Sequence, residues 1–224
     1  MKDLTIICVL KSGGAYTTEH VVRLFERVKQ NTTLDYNFCC LTDIGHEFEN
    51  RYLDFSQINI IPLFFDYKGW WSKIELFDSN CIPGKRIVYF DLDTLIVKNI
   101  DALLLREESF IGLRAFNPTQ GKRKDYIASG ILSWINDGRF DYILQEFIYN
   151  HHTKIFRGDQ DYITNQLNKH QIRYSKWQNL IDGVFSYKRH YLKGNTSKKT
   201  CVLCFHGKPR IQDVNTNEVI QTLS

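Results

Sequence analysis

The stretch Arg86 to Lys98, RIVYFDLDTLIVK, constrains this chain more than any other. Ile87, Val88, Tyr89 and Phe90 make a near-continuous apolar run, the mark of a strand covered on both faces, and such strands belong to mostly parallel sheets with helices packed against them. The run ends in Asp91-Leu92-Asp93. Side chains two apart on a strand point the same way, so both carboxylates face one site at the strand's carboxyl end, where open α/β sheets bind ligands. Two acids in one site repel each other, and a divalent cation that favours oxygen ligands, Mg²⁺ or Mn²⁺, is the usual way to keep both ionised. An Asp-x-Asp pair also occurs in solvated turns, so the motif alone leaves the metal site open.

The rest of the chain alternates strands and helices. Leu4 to Leu10 is an apolar strand, Ser12-Gly13-Gly14 a tight turn, and Val21, Leu24, Phe25 and Val28 follow at helical spacing, with Glu19 and Lys29 placed to suit the helix dipole. Tyr36 to Leu41 and Ile58 to Leu63 read as further strands. This order predicts one layered α/β domain over residues 1–224 with a mostly parallel sheet. The glycine turn is neither GxGxxG nor a P-loop, so a dinucleotide or ATP reading has little support. Next, Lys68-Gly69-Trp70-Trp71-Ser72-Lys73 opens a helix to Phe77. Its tryptophans read as core anchors rather than ligand platforms, and Lys73 as a cation placed to meet an anionic ligand.

Phe110 to Phe116 and Ile127 to Trp134 are predicted strands, the second interrupted by Ser129-Gly130, with Gly121-Lys122-Arg123-Lys124 between them as a solvated surface loop. Arg139 to His151 is a predicted amphipathic helix. Gly158-Asp159-Gln160-Asp161 opens another through about His170, where acids suit ordinary N-terminal capping. Thr200 to Phe205 is an apolar strand that runs into His206-Gly207-Lys208-Pro209. There a histidine could complete a metal site, a glycine allow close approach and a lysine neutralise phosphate, while His206 alone equally suits a hydrogen-bonded structural role.

A net charge of +4, with Lys and Arg interspersed among acids, fits a phosphate-bearing ligand and argues against a nucleic-acid groove. Leu4 to Leu10 is too short to span a bilayer and precedes no cleavage site, so a cytoplasmic protein without a transmembrane segment is expected. Cys8, Cys39, Cys40 and Cys204 lie inside apolar runs, as small buried hydrophobes of a reducing compartment do.

Taken together, Leu4 to Leu10, Lys73 ahead of the acidic strand, Tyr89-Phe90-Asp91-Leu92-Asp93, Ser129-Gly130, Gly158-Asp159-Gln160-Asp161 and His206-Gly207-Lys208-Pro209 resemble the GT-A nucleotide-sugar glycosyltransferases. The series is most similar to the retaining group of glycogenin and the bacterial lipopolysaccharide galactosyl- and glucosyltransferases, glycosyltransferase family eight. The resemblance implies an α/β fold of GT-A type, a Rossmann-like three-layer sandwich around a mostly parallel mixed sheet. It implies retaining transfer of a hexose from a UDP-sugar, UDP-glucose or UDP-galactose, to a hydroxyl of a saccharide, glycolipid or protein. It also implies that Asp91, Asp93 and His206 bind Mn²⁺ or Mg²⁺. Lys73, Asp91, Leu92, Ser129, Gly130, Gly207 and Lys208 would contact the donor, and Gln160, Asp159 and Asp161 would form the catalytic group facing the sugar.

Two positions depart from the family: Ala128 stands where an asparagine is frequent, and His-Gly-Lys-Pro is more compact than the family's terminal motif. Phe90 to Leu95 is also similar to the nucleophile motif of haloacid-dehalogenase-type phosphatases, but lies mid-chain and lacks the residue between the second Asp and Thr94. A catalytically silent sugar-nucleotide-binding protein would keep the same fold.

Overall fold

The apolar run Leu4–Leu10 forms β1, and α1 (Thr18–Gln30) buries Val21, Leu24, Phe25 and Val28. The computed structural model describes residues 2–49, 57–116, 126–150 and 152–223, so the Gly121 to Lys124 segment lies outside the described residues. The further strands are β2 (Asn37–Thr42), β3 (Ile58–Pro62), β4 (Arg86–Phe90), β5 (Thr94–Ile96), β6 (Phe110–Arg114), β7 (Ile127–Ile135), β8 (Ser175–Lys176), β9 (Val184–Ser186) and β10 (Val202–Cys204). Seven of them make one sheet in the order β3-β2-β1-β4-β7-β6-β8. β1 runs parallel to β2 and β4, β2 to β3 and β6 to β8, whereas β7 is antiparallel to both neighbours. The sheet is therefore mixed and mostly parallel.

β4 is buried on both faces, as its unbroken apolar run requires. Val88 and Phe90 join the cluster that contains the apolar face of α1, while Ile87 and Tyr89 join a second cluster with Trp71, Phe77 and Phe147. That second layer comprises a 3₁₀ segment (Gly69–Phe77), α4 (Tyr142–Asn150) and α5 (Asp159–Lys169). Shorter helices are α2 (His46–Glu49), α3 (Asp101–Leu104) and α6 (Trp177–Leu180). Sheet and helical layers form a three-layer α/β sandwich. Five cysteines, Cys8, Cys39, Cys40, Cys201 and Cys204, are buried thiols. Among the described residues no helix is long and apolar enough to cross a membrane.

β7 corrects one expectation, because it runs without a break through Ser129-Gly130. The ladder is disturbed instead on the partner strand, between Ile111 and Leu113 of β6. Gly130 stays useful to the sheet, since its carbonyl accepts the Asp91 N–H at 2.9 Å.

A second sheet, β5-β10-β9, follows directly from the acidic turn. Leu95, Leu203 and Phe205 pack there with Val219 of α7 (Thr216–Leu223). Gly183 leads into β9 with no room for a side chain, because a Cβ would stand 2.7 Å from the Lys199 carbonyl and 2.8 Å from Cys201 Sγ. Gly183→Ala is expected to cost about 1–3 kcal/mol of unfolding free energy, the usual range for overpacking. Urea denaturation followed by circular dichroism reads the loss, and an unchanged midpoint would contradict this packing.

Candidate active site

β4 ends at Phe90, and Asp91-Leu92-Asp93 forms a turn closed by the Thr94 N–H donating to the Asp91 carbonyl at 3.0 Å. The acids thus sit just past the strand, not on it as the alternation argument had them, and the turn brings both into the same cleft. Leu92 between them buries its side chain to 3% exposure, and its carbonyl accepts from Arg23 Nη2 at 2.8 Å.

Lys73 holds the centre. Its Nζ is 2.8 Å from Asp91 Oδ1 and 3.4 Å from Asp159 Oδ2, and it donates to Ser129 Oγ at 3.4 Å. Ser129 in turn donates to Asp159 Oδ2 at 2.5 Å, and the Tyr89 hydroxyl donates to Asp91. Burial works against the Lys73 ammonium, but the charges of Asp159 and Asp91 outweigh it and raise its pKa. The lysine is therefore a fixed positive charge. Burial, and then the charge of Asp91, push the Asp93 carboxyl up to about 7, although Lys73 and a 3.1 Å hydrogen bond from the Tyr16 hydroxyl act the other way. Two acids and one ammonium leave the turn short of positive charge.

Two clefts meet here. One, of 540 Å³, is lined by Asp91, Asp93, Ser129, Gly130, Asp159, Gln160, Asp161, His206 and Gly207. The other, of 370 Å³, opens between the turn after β1 and the 3₁₀ segment, and is lined by Lys11, Gly14, Tyr16, Leu92 and Arg210. Trp70, Lys73, Asp91 and Asp93 line both. Gly207 adopts φ +72°, a conformation that glycine reaches without strain. Lys208 is exposed and lines neither cleft.

His206 reaches the same cleft as the acids, but its Nε2 pairs with Ser186 Oγ at 2.6 Å, and its ring stacks on Phe116 at 5.8 Å between centroids. Burial and the nearby charges of Arg189 and Lys188 lower its pKa, which favours the neutral, metal-ligating form. Among the described residues no three His, Cys, Asp or Glu side chains already stand close enough to hold a metal ion. In its chemistry, nevertheless, the donor set of two hard carboxylates and a neutral imidazole suits Mn²⁺ or Mg²⁺, and the charge deficit around Asp93 is one that a dication removes.

The tryptophan pair needs correcting by half. Trp71 is a core anchor stacked on Phe147 at 5.2 Å, whereas Trp70 is 56% exposed and stands between the two clefts. Tyr16 and Arg210 carry no sequence signal of a site role, and the apolar run around Tyr89 marks it only as core. A tyrosine in a buried strand two residues ahead of an acid is a usable signal, because buried tyrosine hydroxyls seek a partner.

No family model matches the sequence, and no curated protein matches it. Solved structures do. The galactosyltransferase LgtC, in complex with donor and acceptor sugar analogues, aligns with a TM-score of 0.68 at 13% identity over 98% of this chain and 94% of that chain. The glycosyltransferase GlyE of Streptococcus pneumoniae TIGR4 aligns with a TM-score of 0.65 at 15% identity, over 100% of this chain and 60% of its own. The fold is that of the GT-A glycosyltransferases. Within this GT-A sheet the acidic turn follows the central parallel strand β4, and α5 presents Asp159 and Gln160 to it from the other side of Lys73. The GT-A architecture thus accounts for why residues from six distant stretches of chain share one cleft.

Proposed function

We propose that this protein is a metal-dependent glycosyltransferase that moves a hexose from a UDP-sugar to an acceptor hydroxyl with retention. The observation that carries the reading is the Lys73 ammonium clamped between carboxylates of the β4 turn and of α5, beside Asp93, where two clefts meet. Such a site suits a ligand with a nucleoside at one end, a diphosphate in the middle and a sugar at the other. The nucleoside occupies the smaller cleft beside Tyr16, and the sugar the larger one beside Ser129, Gly130 and Gln160.

Asp91, Asp93 and His206 are the residues that would hold Mn²⁺ or Mg²⁺, which when bound supplies Lewis-acid stabilisation of the diphosphate leaving group. Lys73, fixed and charged, orients Asp91 and Asp159. Arg210, which lines the smaller cleft, brings positive charge to the leaving group as the glycosidic bond breaks, and the exposed Lys208 adds to it once the His206-Gly207-Lys208-Pro209 loop closes over the diphosphate; stabilisation of this kind is usually the largest contribution to such catalysis. Asp159 is tied to Lys73 and Ser129, and an amide such as Gln160 is a poor nucleophile. Retention then follows from attack on the sugar face that the diphosphate leaves, with Gln160, Asp159 and Asp161 orienting the sugar and the acceptor. The phosphatase alternative gains no support, because Asp91, which would have to attack, is engaged by both Lys73 and Tyr89.

Isothermal titration with UDP is expected to show binding with Mn²⁺ and little with EDTA, and GDP, CMP and dTDP in the same panel establish the base preference. Equal affinity with and without the metal would overturn the metal-dependent reading. Lys208→Ala is expected to lower kcat by roughly ten- to a thousand-fold with a smaller change in donor KM, the scale of losing one charge-stabilising donor. Its exposure means that stability should move by no more than about 0.5 kcal/mol. Steady-state kinetics and a thermal melt of the variant check both, and a wild-type kcat would make Lys208 a solvated loop lysine.

A further inference from the structure

Hydrogen bonds to three successive carbonyls fix the path of the acidic turn, and one of them comes from a side chain. The Asp91 carbonyl accepts from the Thr94 N–H at 3.0 Å and the Asp93 carbonyl from the Phe205 N–H at 3.1 Å, both within the backbone. The Leu92 carbonyl, between the two acids, accepts instead from Arg23 Nη2 at 2.8 Å. Arg23 stands on α1 and lines neither cleft. One helical turn later, Arg27 makes the corresponding contact with β5. Its Nε donates to the Ile96 carbonyl at 2.8 Å, its Nη1 to Gln30 Oε1 at 2.8 Å and its Nη2 to the Val97 carbonyl at 3.5 Å. In its sheet β5 has a neighbouring strand, β10, on one side only, so carbonyls on its other edge need donors from elsewhere.

The two arginines differ in how they are bonded. Arg27 uses all three of its nitrogens, as a structural brace does. The Nε of Arg23 is buried without a hydrogen-bond partner, and a buried orphan donor weakens a fold rather than supports it. Charge gives Arg23 a second use. Burial lowers its pKa, and the strongest influence in the other direction is the negative charge of Asp93. An arginine stays protonated all the same, so from outside the cleft its guanidinium favours the ionised form of Asp93.

We infer that Arg23 is a positioning residue for the metal-binding acids, holding the peptide between Leu92 and Asp93 in the orientation that presents both carboxylates to one cation. The inference rests on the metal-dependent reading of the site and adds a residue that touches neither substrate nor metal. The Leu92 carbonyl and the Asp93 N–H belong to one rigid peptide plane, so anchoring the first sets the direction in which Asp93 begins. The buried Leu92 side chain pins the same residue to the core. Arg27 bonds β5 and the residue after it, beyond the turn, and is a brace for the strand alone.

The test is Mn²⁺ affinity at a fixed UDP concentration, read from the electron paramagnetic resonance signal of free Mn²⁺, together with thermal melts of the metal-free protein. Arg23→Met is expected to weaken Mn²⁺ binding by about ten- to a hundred-fold, the usual effect of removing a group that orients a metal ligand. Arg27→Met should leave the affinity at the wild-type value yet melt below Arg23→Met, because it leaves more backbone carbonyls without a donor. Arg23→Lys, which keeps the charge and one donor, is expected to recover part of the lost affinity. Arg23→Gln carries the same expectation as Arg23→Met where the latter fails to fold. Wild-type affinity in a folded neutral variant of Arg23, or equal losses from Arg23→Met and Arg27→Met, overturns the inference and leaves the metal-dependent reading standing. A wild-type protein that binds no Mn²⁺ sinks that reading and this inference with it.

Discussion

Replacing Lys73 by methionine is expected to lower the unfolding free energy by about 3–5 kcal/mol, the cost of removing one partner from a buried ion pair. The side chain of Lys73 is 12% exposed and that of Asp159 only 8%, so water cannot replace the lost ammonium around them. Methionine keeps the length and apolar stem but leaves Asp91 and Asp159 facing each other without a cation. For a chain of this size each kcal/mol corresponds to roughly 2–4 °C in Tm. A thermal melt should therefore fall by roughly 6–20 °C, and turnover of the donor should be lost, because both acids lose their orientation. A melt within a degree of wild type would show that the ammonium is solvated and the network weak. Adding Asp159→Asn to Lys73→Met is expected to recover part of the stability, since two residues in one network couple.

Asp93→Asn should do the opposite to the fold and as much to the chemistry. The substitution keeps the shape and an oxygen to accept from Tyr16 at 3.1 Å, but removes a buried charge that Asp91 repels. Without divalent cation the variant is expected to melt at or above the wild-type temperature. Its kcat is expected to fall by about a hundred- to a thousand-fold, on the scale of losing one electrostatic stabiliser of the transition state, and UDP binding should lose its dependence on Mn²⁺. Lower stability together with full activity would mean that Asp93 is a structural acid held by Tyr16.

The parts of the fold that were legible are those with a long, unmixed pattern. β1 spans Leu4–Leu10 as read, and the four apolar positions of α1 are its buried ones. The core strand β4 buries alternate residues in two different clusters, which a continuous apolar run announces. The small second sheet was legible only through β10: all three of its strands have three residues, too few to count a period over, and only β10 sits within the longer apolar run Thr200 to Phe205. The break expected in β7 did not occur, since a small-Gly pair also serves where a neighbouring carboxylate approaches closely: a Cβ on Gly130 would stand 3.4 Å from Asp91 Oδ2.

The site divides in the same way. Asp91, Asp93, Ser129, Gly130, Asp159, Gln160, Asp161, His206 and Gly207 line one cleft, and Lys73 joins them. The acids, Gln160, His206 and Gly207 lie at a strand or helix end, where position along the chain reports position in space, whereas Ser129 and Gly130 lie inside β7 and Lys73 inside the 3₁₀ segment. Tyr16 reaches Asp93 across 77 residues from a loop with no pattern of its own. Trp70 and Trp71 are identical neighbours with opposite fates, decided by which way the 3₁₀ segment turns, and residue type carries no record of that.

The most direct test of the central claim is the fate of UDP-glucose and UDP-galactose incubated with the protein and Mn²⁺ in the absence of acceptor, followed by NMR. Cleavage at the sugar–phosphate bond predicts slow, equimolar appearance of UDP and free hexose, abolished by EDTA, without inorganic phosphate. Intact donors, together with phosphate released from an aryl phosphate in Mg²⁺, would contradict the account.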